Sequence, residues 1–131
     1  MKTNNYVTDT HSLVWYFTEN QRLSKKALKV FEKTLEEGSI IIPTVVLAEI
    51  MYISRKGRIK LSFAETVKKI EESENFEIVP LDLDILNTAD KIDNDLEMHD
   101  RLIVATALFF GVPLVTRDEV IKESGLCDVI W

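Results

Sequence analysis

The sequence predicts an α/β protein whose mainly parallel sheet is covered by helices on both faces, and three observations carry that prediction. Short apolar runs of strand length alternate with stretches of helical period along the chain. Four glycines stand singly at Gly38, Gly57, Gly111 and Gly125, each after a helix-like stretch, where they read as helix stops. No repeat, low-complexity tract or Pro/Gly-rich linker divides the chain, so residues 1–131 read as one domain, long enough to build a core.

Taken in order, a strand near Tyr6 to Thr8 comes first. Ser24 then opens a helix with Ala27, Leu28, Phe31 and Leu35 on one face, and Gly38 ends it. Ser39 to Ile42 is a second strand, broken by Pro43, after which Thr44 is expected to cap a helix from Val45 to about Ser54. Ser62 with Glu65 forms a capping box ahead of Phe63, Val67 and Ile70, giving a helix to about Ser73. A strand from Phe76 to Leu81, a helix from about Ile85 to Asp93 and a polar stretch from Asn94 to His99 follow. An apolar helix from Asp100 to Phe110 stops at Gly111, and Val112 to Thr116 returns as a strand. A short helix near Glu119 to Ser124 and a strand from Val129 to Trp131 complete the pattern. Sheets of this kind take ligands beyond the carboxyl ends of their strands.

Composition narrows the function classes. The chain is 46% hydrophobic and 29% charged, as soluble globular proteins are. Met1 to Asn5 is a polar run with one lysine, and no apolar stretch approaches the roughly 20 residues that cross a bilayer. Secretion and membrane insertion are therefore not expected. A single cysteine, Cys127, allows neither an internal disulfide nor a thiolate metal cluster, suits a reducing cytoplasm, and is expected as a small core residue. The net charge of −6 argues against a nonspecific nucleic-acid binder, whose surface is usually basic. That argument fails if several carboxylates are committed to bound cations, which reverse the local sign.

Four acids fall where such a commitment is possible. Asp9 directly follows the first strand and Asp118 lies two residues after Thr116, so both sit at the ligand-binding edge. Each has a local explanation as well, Asp9 as a turn aspartate and Asp118 as the cap of the next helix. Glu49 is harder to dismiss, since Val45, Val46, Leu47, Ala48, Ile50, Met51, Tyr52 and Ile53 make its helix apolar on every other face. Such a helix is expected to be buried nearly all round. A carboxylate there needs a cation, an ion pair or a hydrogen-bond network, or it costs several kcal/mol. Asp100 opens the second apolar helix, where it is expected to serve as N-cap with one oxygen free for a ligand. Two carboxylates in close contact repel by about 4 kcal/mol at an effective dielectric of 20, so convergence of all four requires cations. Oxygen ligands without Cys or His clusters select Mg²⁺ or Mn²⁺ over zinc.

These residues resemble the PIN domain family, and most closely the ribonuclease toxins of VapBC toxin–antitoxin pairs. The carrying segments are Val7-Thr8-Asp9-Thr10-His11 with Trp15 downstream, the helix Val45 to Ile53 around Glu49, the run His99-Asp100-Arg101-Leu102-Ile103-Val104-Ala105-Thr106-Ala107, and Val115-Thr116-Arg117-Asp118. Each is short, but their order and spacing run end to end. The resemblance implies a three-layer α/β/α sheet with an acidic pocket and a Mg²⁺- or Mn²⁺-dependent endoribonuclease. It makes Asp9 and Asp100 direct ligands, with Glu49 and Asp118 holding a second ion or acting through waters. Thr116, Thr10 and Arg101 are candidates for orienting substrate or ligand. Many family members carry Asp-Pro-x-Asp-Arg where this chain has Glu97, Met98, His99, Asp100 and Arg101, so the loop ahead of the helix departs from that variant. The implied partners are an RNA substrate, a VapB-type antitoxin and a second copy in a homodimer.

His11 and His99 lie in polar contexts and are expected on the solvated surface. Arg55, Lys56, Arg58 and Lys60 read as a solvated loop or as a steering patch for RNA phosphates. Trp15, Phe17 and Phe31 are expected in the core, although related toxins use their early helices to dimerise and bind antitoxin. Two other functional readings stay open: a catalytically silent PIN-like module that binds RNA or protein, and a stand-alone RNA-processing nuclease without antitoxin. A phosphorelay receiver needs a lysine after a late strand, where this chain has Thr116, Arg117 and Asp118. A haloacid-dehalogenase-type phosphatase needs Asp-x-Asp after the first strand, where it has Asp9, Thr10 and His11.

Overall fold

The computed structural model describes residues 4–131, so Met1 to Thr3 of the N-terminal polar run lie outside the described residues, as does the Leu35 side chain. Five strands form one sheet: β1 (Asn4–Thr8), β2 (Gly38–Pro43), β3 (Phe76–Val79), β4 (Leu114–Val115) and β5 (Val129–Ile130). Their order is β3-β2-β1-β4-β5 and every pairing is parallel, with Tyr6 opposite Ile40, Val7 opposite Leu114, Ile42 opposite Ile78 and Leu114 opposite Val129. Helices cover both faces, which gives three α/β/α layers. β2 and β4 carry continuous apolar runs, Ile40 to Ile42 and Leu114 to Val115, because both faces are covered, and Val7, Ile40, Ile42, Leu114 and Val115 are fully buried. From β1 the connectivity steps one way to β2 and the other way to β4. The topological switch point therefore lies between the carboxyl ends of β1 and β4.

Among the described residues seven helices fill the connections: α1 (Thr10–Phe17), α2 (Lys25–Glu37), α3 (Thr44–Arg55), α4 (Phe63–Glu71), α5 (Leu83–Asp90), α6 (Met98–Phe110) and α7 (Glu119–Ser124). The sequence reading did not delimit α1. Its five consecutive apolar and aromatic residues, Leu13 to Phe17, mask the 3.6-residue period. The Ser24 cap and the Ser62–Glu65 capping box form as expected. In α2, Ala27 and Phe31 are fully buried, but Leu28 is exposed and lines a groove. Phe31 stacks on Tyr16 with ring centroids 4.5 Å apart, a burial that contributes about 2–3 kcal/mol. Trp15 and Phe17 are only partly buried against that core, as is Cys127.

Several local expectations are corrected. Thr44 does not cap α3: Pro43 takes that position with no side-chain bond, and the Thr44 hydroxyl instead accepts the Leu81 amide at 3.1 Å. Nor is α3 buried all round, since Ala48, Met51 and Tyr52 are exposed. Asp100 does not cap α6. Glu97 does, accepting the Asp100 amide at 3.1 Å, so the helix starts at Met98 and Asp100 sits in its first turn. Gly111 and Gly125 end helices in the left-handed conformation, whereas Gly38 is extended at φ −175°. Gly38 is required for another reason: a Cβ there would lie 1.8 Å from the Asn4 carbonyl oxygen across the β1–β2 pair.

Candidate active site

The four acids reach the switch point from four different elements. Asp9 ends β1 and caps α1, its Oδ1 accepting the Ser12 amide at 2.9 Å. Its other oxygen, Oδ2, accepts the Thr116 hydroxyl at 2.5 Å. The same hydroxyl oxygen accepts the Asp118 amide at 3.1 Å, and Asp118 Oδ1 accepts the Ile121 amide at 2.9 Å to cap α7. Backbone bonds sew this corner together, from the Asp9 amide to the Val115 carbonyl at 3.2 Å and from the Ser12 hydroxyl to that carbonyl at 3.3 Å. Asp9 and Asp118 therefore hold their local capping roles and face the switch point at once.

Glu49 arrives half-buried from α3, where its Oε1 accepts the Thr10 hydroxyl at 2.6 Å. Asp100 arrives from the first turn of α6. Among the described residues its carboxyl accepts no hydrogen bond. Its pKa is pushed up to about 6, first by burial and then by the charges of Asp118, Glu97, Asp9 and Glu49. That list places the four acids in one electrostatic neighbourhood, with Glu97 as a fifth that the sequence reading left out. Burial also raises the Asp9 carboxyl, against the opposing hydrogen bonds of Ser12 and Thr116 and the nearby His11.

The donor set suits a hard divalent cation. Among the described residues the ion pairs are Lys33 with Glu37 and His99 with Glu97, so none of the four acids is neutralised by a side-chain cation. The alternative of an internal salt bridge for Glu49 is thereby set aside. No three Asp, Glu, His or Cys side chains among the described residues already stand as a coordination set. Carboxylates that repel by about 4 kcal/mol per close pair do not close into one unless a cation holds them.

Thr116 and Thr10 each fix one carboxylate oxygen, which gives both a positioning geometry. Arg101 has structural partners of its own. Its guanidinium donates to the carbonyls of Ala89 at 3.2 Å and Ile92 at 2.8 Å, and to that of Asn94, so it clips the end of α5.

Beside Asp9 and Asp118 opens a cleft of about 280 Å³ whose other walls are His11, Trp15 and Arg117. His11 is exposed as expected, but it borders the site, its ring 5.7 Å from that of Trp15. The Arg117 guanidinium lies 5.4 Å from the centre of the Trp15 ring, and Trp15 packs against Trp131 at 6.0 Å. His11 and Trp15 are four residues apart on α1, which puts both on one face. That spacing was the only signal of this wall in the sequence. A larger groove of about 670 Å³, lined among others by Trp15, Phe17, Leu23, Leu28 and Glu72, holds none of the four acids.

The PIN domain family matches residues 6–125. No curated protein matches the chain in sequence. Among solved structures, VapBC2 from Rickettsia felis bound to a DNA fragment from their promoter superposes with a TM-score of 0.73 at 17% identity, over 95% of this chain and 96% of that one. A toxin–antitoxin complex from Klebsiella pneumoniae gives 0.69 at 20% identity, over 96% of both chains. The sarcin–ricin loop cleaving toxin VapC20 of Mycobacterium tuberculosis gives 0.65 at 15% identity, over 92% and 95%. At these identities the likeness is one of fold, and the fold closely resembles that of VapC-type toxins. A matched span that begins in β1, takes in every acid of the switch point and runs through α7 shows that the chain belongs to the PIN domain family.

Proposed function

We propose that the protein is a Mg²⁺- or Mn²⁺-dependent endoribonuclease and the toxin of a type II toxin–antitoxin pair. The observation that carries the reading is the Asp100 carboxyl, lifted to about 6 among four other acids with no side-chain cation paired to the candidate ligands. Asp9 and Asp100 would hold the cation directly, with Glu49 and Asp118 completing its surroundings or holding a second one. When bound, the cation lowers the pKa of a coordinated water and takes up charge developing on the phosphate. The chain's own part is to orient. Thr116 fixes Asp9 and the start of α7, and Thr10 fixes Glu49. The net charge of −6 is compatible with an RNA substrate because the site's carboxylates are offset by metal.

The toxin role rests on the kinship of fold with toxin–antitoxin complexes and with a toxin that cleaves the sarcin–ricin loop. A VapB-type antitoxin is the partner proposed for the groove along α1 and α2, and a homodimer is the proposed assembly. No helix among the described residues is long and apolar enough to cross a membrane, and a cytoplasmic location is part of the proposal. The alternative is a silent module that binds RNA or protein without cutting. Incubation with single-stranded RNA separates the two readings. Cleavage is expected with Mg²⁺ or Mn²⁺, none with EDTA, and a loss of about a hundredfold or more in Asp9→Asn, which keeps the cap because Asn caps as well as Asp. Cleavage that survives full chelation removes the mechanism, and a metal-loaded protein that binds RNA without cutting it establishes the silent module.

A further inference from the structure

We propose that His11, Trp15 and Arg117 form a nucleotide subsite on the wall of the carboxylate cleft, where Trp15 stacks a base of single-stranded RNA and Arg117 holds a phosphate. The inference rests on the nuclease reading for its substrate class but stands on separate residues.

Three features of the cleft point to it. The cleft of about 280 Å³ is lined both by acids, Asp9 and Asp118, and by the aromatic and cationic side chains His11, Trp15 and Arg117. Such a lining offers one planar ring for stacking and one guanidinium for a phosphate, the two elements that sequence-tolerant single-strand binding combines. The position of Arg117 is fixed at both ends. Thr116 before it is bonded to Asp9, and Asp118 after it caps α7, so its backbone belongs to the rigid corner of the site.

The Arg117 side chain is exposed, and although Asp9 and Asp118 line the same cleft it forms an ion pair with neither. It lies instead over Trp15 at 5.4 Å, an arrangement that leaves its donors open to an anionic ligand. Trp15 packs against Trp131 at 6.0 Å and against the exposed His11 ring at 5.7 Å, both tilted to it. The ring is thus held in place before any base arrives, which lowers the ordering cost of stacking. RNA lying along this wall would bring one phosphodiester to the carboxylates while the neighbouring nucleotide occupies the subsite.

Adenosine 5′-monophosphate is the probe, because it carries a base and a phosphate but no internucleotide bond to cleave. In Mg²⁺ it is expected to shift the indole N–H resonance of Trp15 more than that of Trp131. Arg117→Gln is expected to weaken binding about threefold or more, and Trp15→Leu about tenfold or more. Arg117 and His11 are exposed, so Arg117→Gln and His11→Ala test the subsite even if Trp15→Leu unfolds. On a single-stranded oligoadenylate, Arg117→Gln should raise KM and leave kcat nearly unchanged, a split that general loss of structure does not produce. Unchanged nucleotide affinity and unchanged KM in Arg117→Gln and His11→Ala overturn the subsite even when the protein cuts RNA in Mn²⁺. Nucleotide binding that depends on Arg117 in a protein without cleavage upholds the subsite and removes the nuclease reading instead.

Discussion

Two of the four candidate ligands stand at strand ends and two stand on helix walls, and the pairs are held in opposite ways. Asp9 and Asp118 are fixed locally, each capping the helix that follows it, and the Thr116 hydroxyl lies between them. Glu49 and Asp100 have no such anchorage. One is tied to Thr10 alone and the other accepts no hydrogen bond among the described residues. The strand-end pair is therefore preorganised by backbone geometry, and the helix pair is placed by packing and charge. On the helix side Asp100, which no hydrogen bond offsets among the described residues, has its carboxyl pushed up to about 6, first by burial and then by its acidic neighbours.

The largest test of this contrast is Thr116→Val, which removes the single hydroxyl that both organises Asp9 and accepts the Asp118 amide. Support of this kind around metal ligands is worth about 10–100-fold in activity or metal affinity. Thr10→Val, which loses one bond to Glu49, should cost less. Metal-dependent cleavage and Mn²⁺ affinity measured on both variants check the order, and equal effects would erase the distinction between the two pairs.

A second test uses pH. Asp100 titrates from a reference value of 3.8 and from about 6 in the folded protein, so between those values the folded state keeps a proton that the unfolded state has released. Stability of the chelated protein should then fall as pH rises from about 4 through about 6, and the raised Asp9 carboxyl acts in the same direction. Thermal melts in EDTA across that range should show Tm declining, with Asp100→Asn flattening the decline and raising Tm at neutral pH. Mn²⁺ should raise Tm more at neutral pH than at pH 5. A flat wild-type profile would mean that the helix pair carries no such shift.

The smallest effect separates charge from capping at Asp118. Asp118→Ala should cost about 1 kcal/mol of stability through the lost α7 cap, whereas Asp118→Asn should cost a few tenths at most. Denaturant melts resolve that difference, and equal losses would show that charge, not the cap, matters there.

Legibility in the sequence follows the same division. Asp9 and Asp118 could be placed at the sheet edge because strand ends and caps are local signals, and each caps the helix that follows it. Glu49 stood out as the one acid in an apolar helix, although the inference of burial all round was wrong, because Ala48, Met51 and Tyr52 face outward. Asp100 was found but given the wrong local role, since Glu97 three residues earlier supplies the cap. Arg101 drew attention through its neighbour, while its own bonds run to carbonyls that no periodicity marks. The wall of His11, Trp15 and Arg117 escaped notice because it joins α1 to the segment after β4, a contact that only the folded sheet creates.

The parallel pairing of β1 with β4 also fixes when the acidic corner comes into being during synthesis. Asp9 is translated well before the hydroxyl that orders it, which belongs to Thr116, 107 residues later, and a contact of such separation pays a large loop-closure entropy before it forms. A nascent chain halted before β4 has at most three of the four acids and no Thr116 to order Asp9. If the chain is the toxin proposed, the whole segment from Asp9 to β4 is translated before any cutting edge exists, which leaves an interval for an inhibitor to arrive first.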